Sequence, residues 1–152
     1  MHHNSPYSRA AGAYGSTAAA TDQRLLEGQV LLISAQKLEN LSLRLRAGEN
    51  VSLEEIDDTL AHNRKLWQLF LDTTMDPTHL LPQDIRNNVA SLAVYVFKRT
   101  QEVLIDTVPD KFRVLIDINR NIAAGLMKKQ AQAAGPQAAA PMVEKTATDS
   151  MA

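Results

Sequence analysis

The sequence of 152 residues contains no cysteine, which excludes disulfides, thiolate catalysis and every zinc site that needs sulfur ligands. Neither sign of charge dominates, because 16 basic and 17 acidic side chains give a formal net charge of -1. Without a long-range positive field, direct binding of nucleic acid is not expected. No run of about 18 apolar residues occurs, so we expect no membrane insertion. These absences fit a cytoplasmic protein of one domain.

The two ends of the chain have compositions that are typical of disorder. Residues 1–20 are rich in Ala, Ser and Gly and lack the basic and apolar regions of a signal peptide, and residues 130–152 repeat Ala, Gln and Pro. Such segments bury too little apolar surface to offset the entropy lost on ordering. We therefore predict a disordered N-terminal arm over 1–20, a helical domain over 21–129 and a disordered tail over 130–152.

Two helices are predicted in the first half of this domain. The first spans about residues 22–46, carries a stripe of leucines, and is followed by Gly48, a residue that often ends a helix. The second spans about 52–74 and begins with the spacing of a capping box. In such a box the Ser52 hydroxyl and the Glu55 carboxylate each satisfy a free amide at the helix start.

Two further helices are predicted in the second half. Two prolines separate the second helix from a third over about 82–106, where Pro82 suits the first turn. A fourth helix over about 110–129 ends in two lysines, whose charge suits a helix C-terminus. No window shows the alternation of a β-strand. The predicted fold class is all-α, a compact bundle of four helices whose short connections favour antiparallel neighbours.

One amide interrupts the apolar stripe of each of two predicted helices. Asn63 lies on the same face as Leu60 and Trp67, and Asn119 occupies the corresponding place in the fourth helix. A buried amide without partners costs about 1 to 3 kcal/mol. Either the asparagines bond each other or a helix end and fix the register of the bundle, or they line a groove that a partner completes, or the stripe is misplaced by one residue.

The remaining side chains give little sign of chemistry. Trp67 is the only tryptophan and has a spacing more typical of a core than of an interface. His62 and Asp58 are four residues apart, a spacing that suits a metal, but a solvated helix face also explains them. Arg64 and Arg86 belong to basic residues that are spread over two helices and balanced by acids. No phosphate loop, nucleophile elbow or zinc-protease motif is present, so we expect neither catalysis nor a cofactor.

Four segments of the sequence together resemble the FlaF family of flagellar biosynthesis regulators of alphaproteobacteria. These segments are Ala13-Tyr14; Leu60-Ala61-His62-Asn63-Arg64-Lys65-Leu66-Trp67; Leu81-Pro82-Gln83-Asp84-Ile85-Arg86 with Ser91-Leu92-Ala93; and Leu115-Ile116-Asp117-Ile118-Asn119-Arg120-Asn121-Ile122-Ala123-Ala124-Gly125-Leu126. Both their order and their spacing agree with the family.

The resemblance implies a cytoplasmic, non-enzymatic regulator of flagellum biosynthesis that is needed for flagellin synthesis and export. It implies flagellin as a partner and FlbT, the partner regulator of flagellin translation, as a second candidate. An adaptor or secretion chaperone could shield an amphipathic helix of flagellin by helix-in-groove contact. Alternatively, the protein could regulate flagellin mRNA post-transcriptionally together with FlbT, or scaffold a larger export complex.

The matching segments also supply the candidate partner-binding residues. They are Asn63, Arg64, Trp67, Leu81, Pro82, Arg86, Asp117, Asn119 and Leu126. No catalytic, cofactor-binding or metal-binding residue is predicted.

Overall fold

The computed structural model describes residues 6–78 and 81–134, and in this part of the chain it contains helices and no strands. The four α-helices are α1 (Pro6–Arg46), α2 (Leu53–Met75), α3 (Gln83–Ile105) and α4 (Arg113–Ala134), and a 3-10 turn (Pro109–Phe112) leads into α4. The prediction of an all-α bundle of four helices is confirmed. Of the predicted arm and tail, residues 1–5 and 135–152 lie outside the described residues.

Both terminal helices are longer than predicted. The backbone of α1 is helical from Pro6, whereas its predicted start was near residue 22, and α4 continues to Ala134, past the predicted end at residue 129. Alanine has the highest intrinsic helix propensity of all residues, so an alanine-rich segment can continue a helix even where it has little to bury. Composition alone therefore predicted too late a start for α1 and too early an end for α4.

The predicted end of α1 at Gly48 is confirmed. Gly48 has a φ of 79°, its amide donates to the carbonyl of Leu45 at 3.1 Å, and the amide of Glu49 donates to the carbonyl of Arg44 at 3.0 Å. This pair of bonds is the Schellman motif, which needs a residue in the left-handed region, where glycine has no steric cost.

The predicted capping box of α2 is half formed. The backbone amide of Glu55 donates to the Ser52 hydroxyl oxygen at 3.1 Å, as predicted. The Glu55 carboxylate was predicted to turn back to the Ser52 amide, but it accepts hydrogen bonds from the guanidinium of Arg44 instead. A charged donor forms a stronger bond than a neutral amide, so the carboxylate joins the end of α1 to the start of α2.

The helices α1 and α4 pack against each other over the greatest length, and α3 packs chiefly against α2. They are antiparallel, because Ser42 of α1 donates to the carbonyl of Pro109 at 3.0 Å while Gly28 lies beside Met127 at the other end of α4. A Cβ atom on Gly28 would lie 3.1 Å from Cγ of Met127. The glycine therefore permits the close approach of the two helices.

The core is a single cluster to which all four helices contribute. Trp67 is fully buried and meets Phe70 edge to face, with ring centroids 5.7 Å apart. The buried apolar residues are Leu31, Ala35, Leu38, Leu41, Ile56, Leu60, Trp67, Phe70, Val89, Ala93, Val96, Val103, Phe112, Leu115, Ile116 and Ala123. Within the described ranges, no helix has the length and apolar content that crossing a membrane requires.

Candidate functional site

The two asparagines meet in the middle of the core. Nδ2 of Asn119 donates to Oδ1 of Asn63 at 2.7 Å, and the hydroxyl of Ser34 on α1 donates to the same oxygen at 2.8 Å. The indole Nε1 of Trp67 donates to Oδ1 of Asn119 at 2.8 Å. Both amides and the indole have no exposed surface, and Ser34 is 1% exposed. This amide network joins α1, α2 and α4.

The indole sets the direction of every bond in the network. Because the N–H of Trp67 can only donate, the Asn119 atom that faces it must be the oxygen. The Asn119 amide then directs its Nδ2 at Asn63, which must present its own oxygen, and the Ser34 hydroxyl must donate. The hydrogen-bond chemistry therefore allows one amide orientation for each asparagine and links the three helices in the observed register.

The network leaves one polar group without a partner. Nδ2 of Asn63 is buried and forms no hydrogen bond, whereas Nδ2 of Asn119 also approaches the carbonyl oxygen of Leu31 at 3.4 Å. An unpaired buried donor costs about 1 to 3 kcal/mol. The two asparagines are consequently unequal, and Asn119 is the better satisfied of the pair.

Of the alternatives for the asparagines, the structure has the one in which they bond each other. Asn63, Trp67 and Asn119 are fully buried, so no partner can contact them in this conformation. These residues can act on the surface of the bundle only through the positions of the helices. Ser34 was missed, although its signal was visible: it is a small polar residue on the leucine stripe of α1, three residues after Leu31.

Arg86, a predicted partner-binding residue, bonds within the chain. Its Nε donates to the carbonyl oxygen of Thr74 at 3.1 Å, and its Nη2 donates to that of Met75 at 3.3 Å. These are carbonyls of the last turn of α2, which have no partner inside the helix. A cation there also suits the helix dipole, so Arg86 joins the end of α2 to the start of α3.

Three other predicted residues lie on the surface. Asp117 accepts from Nε of Arg113 at 3.1 Å, an exposed pair one helical turn apart. Arg64 is exposed on α2, and Pro82 is exposed as the N-cap residue of α3. Exposed ion pairs of this kind contribute little to stability. The three residues belong to α4, to α2 and to the start of α3, respectively.

Leu81 and Leu126, by contrast, are brought together, although they are far apart in sequence. Both line a groove of about 220 Å³, here called the α3–α4 groove, to which all four helices contribute. Most of its lining surface is apolar, with a few polar side chains among the lining residues. The lining residues are Arg24, Glu27, Phe70, Leu81, Ile85, Val89, Asn121, Ile122, Gly125 and Leu126.

A second groove of about 230 Å³, the α1–α2 groove, lies on the other side of Phe70. Phe70 and Glu27 line both grooves. Leu26 and Leu69, at the edges of the α1–α2 groove, are 53% and 65% exposed. The two grooves share Phe70, in the C-terminal part of α2, and the apolar face of a helix can pack into grooves of this kind.

Gly125 gives the α3–α4 groove an unusual feature. A Cβ atom at Gly125 would meet no heavy atom within 4 Å, whereas one at Gly28 would press on Met127. A glycine inside a helix costs about 0.5 to 1 kcal/mol relative to alanine. Packing within the described residues explains Gly28 but not Gly125. The missing side chain leaves room for another backbone to approach α4 at the groove.

Among the described residues, the two side chains with a clearly shifted pKa, His62 and Arg44, do not line either groove. His62 is exposed on α2, but partial desolvation lowers the pKa of its imidazole, and the nearby charge of Lys37 lowers it further. Hydrogen bonds to Glu55 and then to Glu49 raise the pKa of Arg44. Neither titrating group lines a groove, and the described residues contain no group of three or more side chains that could hold a metal. Both grooves therefore offer mainly apolar surface with a few polar side chains.

Comparison with protein-family models agrees with the resemblance of the four sequence segments. The model described as flagellar protein FlaF matches residues 10–126, which is more than half of the chain and includes every lining residue of both grooves. No curated protein and no solved structure matches the chain significantly.

Proposed function

The chain belongs to the FlaF family of flagellar proteins, and from this premise we propose that it binds flagellin as an adaptor or secretion chaperone. Flagellin subunits have long amphipathic helices at their ends, which are exposed before assembly. A helix that stays unassembled in the cytoplasm needs its apolar face covered, and an apolar groove on a helical bundle can cover it. On this proposal the protein acts before export and catalyses no reaction.

The observation that carries the proposal is the α3–α4 groove, which Gly125 lines without a side chain and with open space in front of it. Its apolar lining includes Leu81 and Leu126, two of the candidate partner-binding residues, beside the buried edge of Phe70. A docked helix usually places residues one turn apart in such a groove, and a position without a side chain lets the two helix backbones come close.

Filling the groove tests the proposal. In Gly125→Phe a large ring would occupy the space where the described chain has no atom. Its matched control is Ala124→Phe, the same ring on the neighbouring residue of α4, which is exposed and does not line the groove. Circular dichroism would establish that both variants keep the helical content of the wild type.

Monomeric flagellin would then be mixed with each protein and followed by gel filtration and calorimetry. We expect the wild type and Ala124→Phe to form a complex, and Gly125→Phe to bind at least about tenfold more weakly, equivalent to about 1.4 kcal/mol. Absence of a wild-type complex at tens of micromolar concentration would refute flagellin binding. A complex that formed only with FlbT and the flagellin leader RNA would favour the post-transcriptional alternative instead.

A further inference from the structure

The α3–α4 groove has one charged side chain with no partner in the described part of the chain. Arg24 lines the groove and forms neither a hydrogen bond nor an ion pair with the described residues. Its neighbour Glu27 accepts a hydrogen bond from Gln23 at 3.3 Å. An occupant of this groove would therefore gain most from an apolar side chain over the floor and a carboxylate beside Arg24.

The segment that follows α4 has this combination of residues. Between Gly135 and Ala152 the only adjacent pair of large apolar residues is Met142–Val143, and Glu144 comes next. In an extended segment Met142 and Glu144 point to the same side, because side chains alternate. Methionine is unbranched and adapts to irregular apolar surfaces.

The segment also begins close enough to reach the groove. Gly125 lies about 14 Å from the end of α4 at Ala134, at 1.5 Å per helical residue. The residues from Ala134 to Met142 span up to about 26 Å when extended. Gly135 and Pro136 are residues that end a helix and turn the chain. The tail is thus long enough to turn back along α4.

We propose that the tail of the same chain docks in the α3–α4 groove, with Met142 on the apolar floor and the Glu144 carboxylate paired with Arg24. The backbone of the tail passes over Gly125, where no side chain of α4 obstructs it. The matched family region ends at residue 126, so this occupant lies outside it. The tail covers the groove proposed for flagellin, but its docking does not depend on flagellin binding.

Methyl NMR of the full chain tests the docking directly. In Met142→Asp the methyl signals of Ile85 and Leu126, which line the groove, should shift, while that of Ile56 in the distant core should not. Met151→Asp is the matched control, because it makes the same change further along the tail and should leave all three signals in place. Unchanged signals for Ile85 and Leu126 in Met142→Asp would overturn the proposal.

The ion pair is tested by exchanging the charges. Arg24→Glu and Glu144→Arg should each reproduce the shifts of Met142→Asp, and the double variant should restore the wild-type positions. Failure of the double variant to restore them would exclude the pairing of these two residues.

If the tail is docked nine-tenths of the time, its release in Met142→Asp should tighten flagellin binding about tenfold. Methyl shifts without any flagellin binding would support docking of the tail and refute the proposed function. Flagellin binding without methyl shifts would support the proposed function and refute docking of the tail.

Discussion

Replacement of Asn119 by leucine should destabilise the fold more than the same replacement of Asn63. Asn119→Leu removes the acceptor of the buried Trp67 indole, and Oδ1 of Asn63 loses its donor at 2.7 Å while keeping that of Ser34. An orphaned buried N–H costs about 1 to 3 kcal/mol and the lost bond about 1 more. We expect a loss of about 2 to 4 kcal/mol in the free energy of unfolding.

Asn63→Leu should cost less, because it removes an amide whose Nδ2 is already unpaired. The Nδ2 of Asn119 keeps the carbonyl of Leu31 at 3.4 Å. The Ser34 hydroxyl can turn to a carbonyl of its own helix, as serine often does. We expect a change of about 0 to 1.5 kcal/mol.

Urea denaturation followed by far-UV circular dichroism measures both variants on one scale. Asn88→Leu is the matched control, since Asn88 is exposed on α3 and reports the gain in helix propensity that leucine brings. A double-mutant cycle of Asn119→Leu with Trp67→Phe isolates the bond between these two residues, and we expect a coupling of about 1 kcal/mol or more. If Asn63→Leu proved the more costly variant, or if Asn119→Leu matched the control, the directional account of the network would be refuted.

Four further variants test single features of the fold. Gly125→Ala should raise the free energy of unfolding by about 0.5 to 1 kcal/mol, and Gly28→Ala should gain less, because its Cβ would lie 3.1 Å from a methionine side chain; urea melts rank the two. Ser52→Ala should cost about 1 kcal/mol in the same assay by removing the cap of α2, and no loss would contradict the capping bond. Partial desolvation lowers the pKa of His62, which is exposed on α2, below its ordinary value of 6.5, so protonation is slightly disfavoured in the folded state. The wild type should therefore lose a little stability as the pH falls from about 7 through that ordinary value toward the lowered one, whereas His62→Gln should lack this slope; parallel pH profiles would contradict the desolvation of the imidazole.

The helices could be predicted because their signals are local. Apolar residues at helical spacing, the serine cap at Ser52 and the glycine at Gly48 act within one or two turns of the chain. The outer ends of α1 and α4 were placed less well. Composition argues for disorder where there is little to bury, while alanine favours the helix, and local sequence does not decide between these two tendencies.

The Glu55 carboxylate shows a second limit of prediction from sequence, which concerns contacts between helices. The capping-box spacing predicted a bond to its own helix start, but Arg44 of the preceding helix attracts it more strongly. That competition depends on where α1 ends relative to α2. The groove residues Leu81 and Leu126 show the same limit. The motif that contains each of them was visible in the sequence, but local sequence could not show that the two residues line one groove.

By itself the sequence determined the all-α class, the four helices, the resemblance to the FlaF family and the presence of an amide on two apolar stripes. Only the tertiary structure decided that Asn63 and Asn119 bond each other, that Ser34 and Trp67 complete their network, and that Gly125 opens onto a groove. The physical reason is the distance along the chain over which the deciding interactions act. Helix formation depends on neighbours three or four residues away, whereas the partners of a buried amide and the depth of a groove depend on how helices distant in sequence pack together.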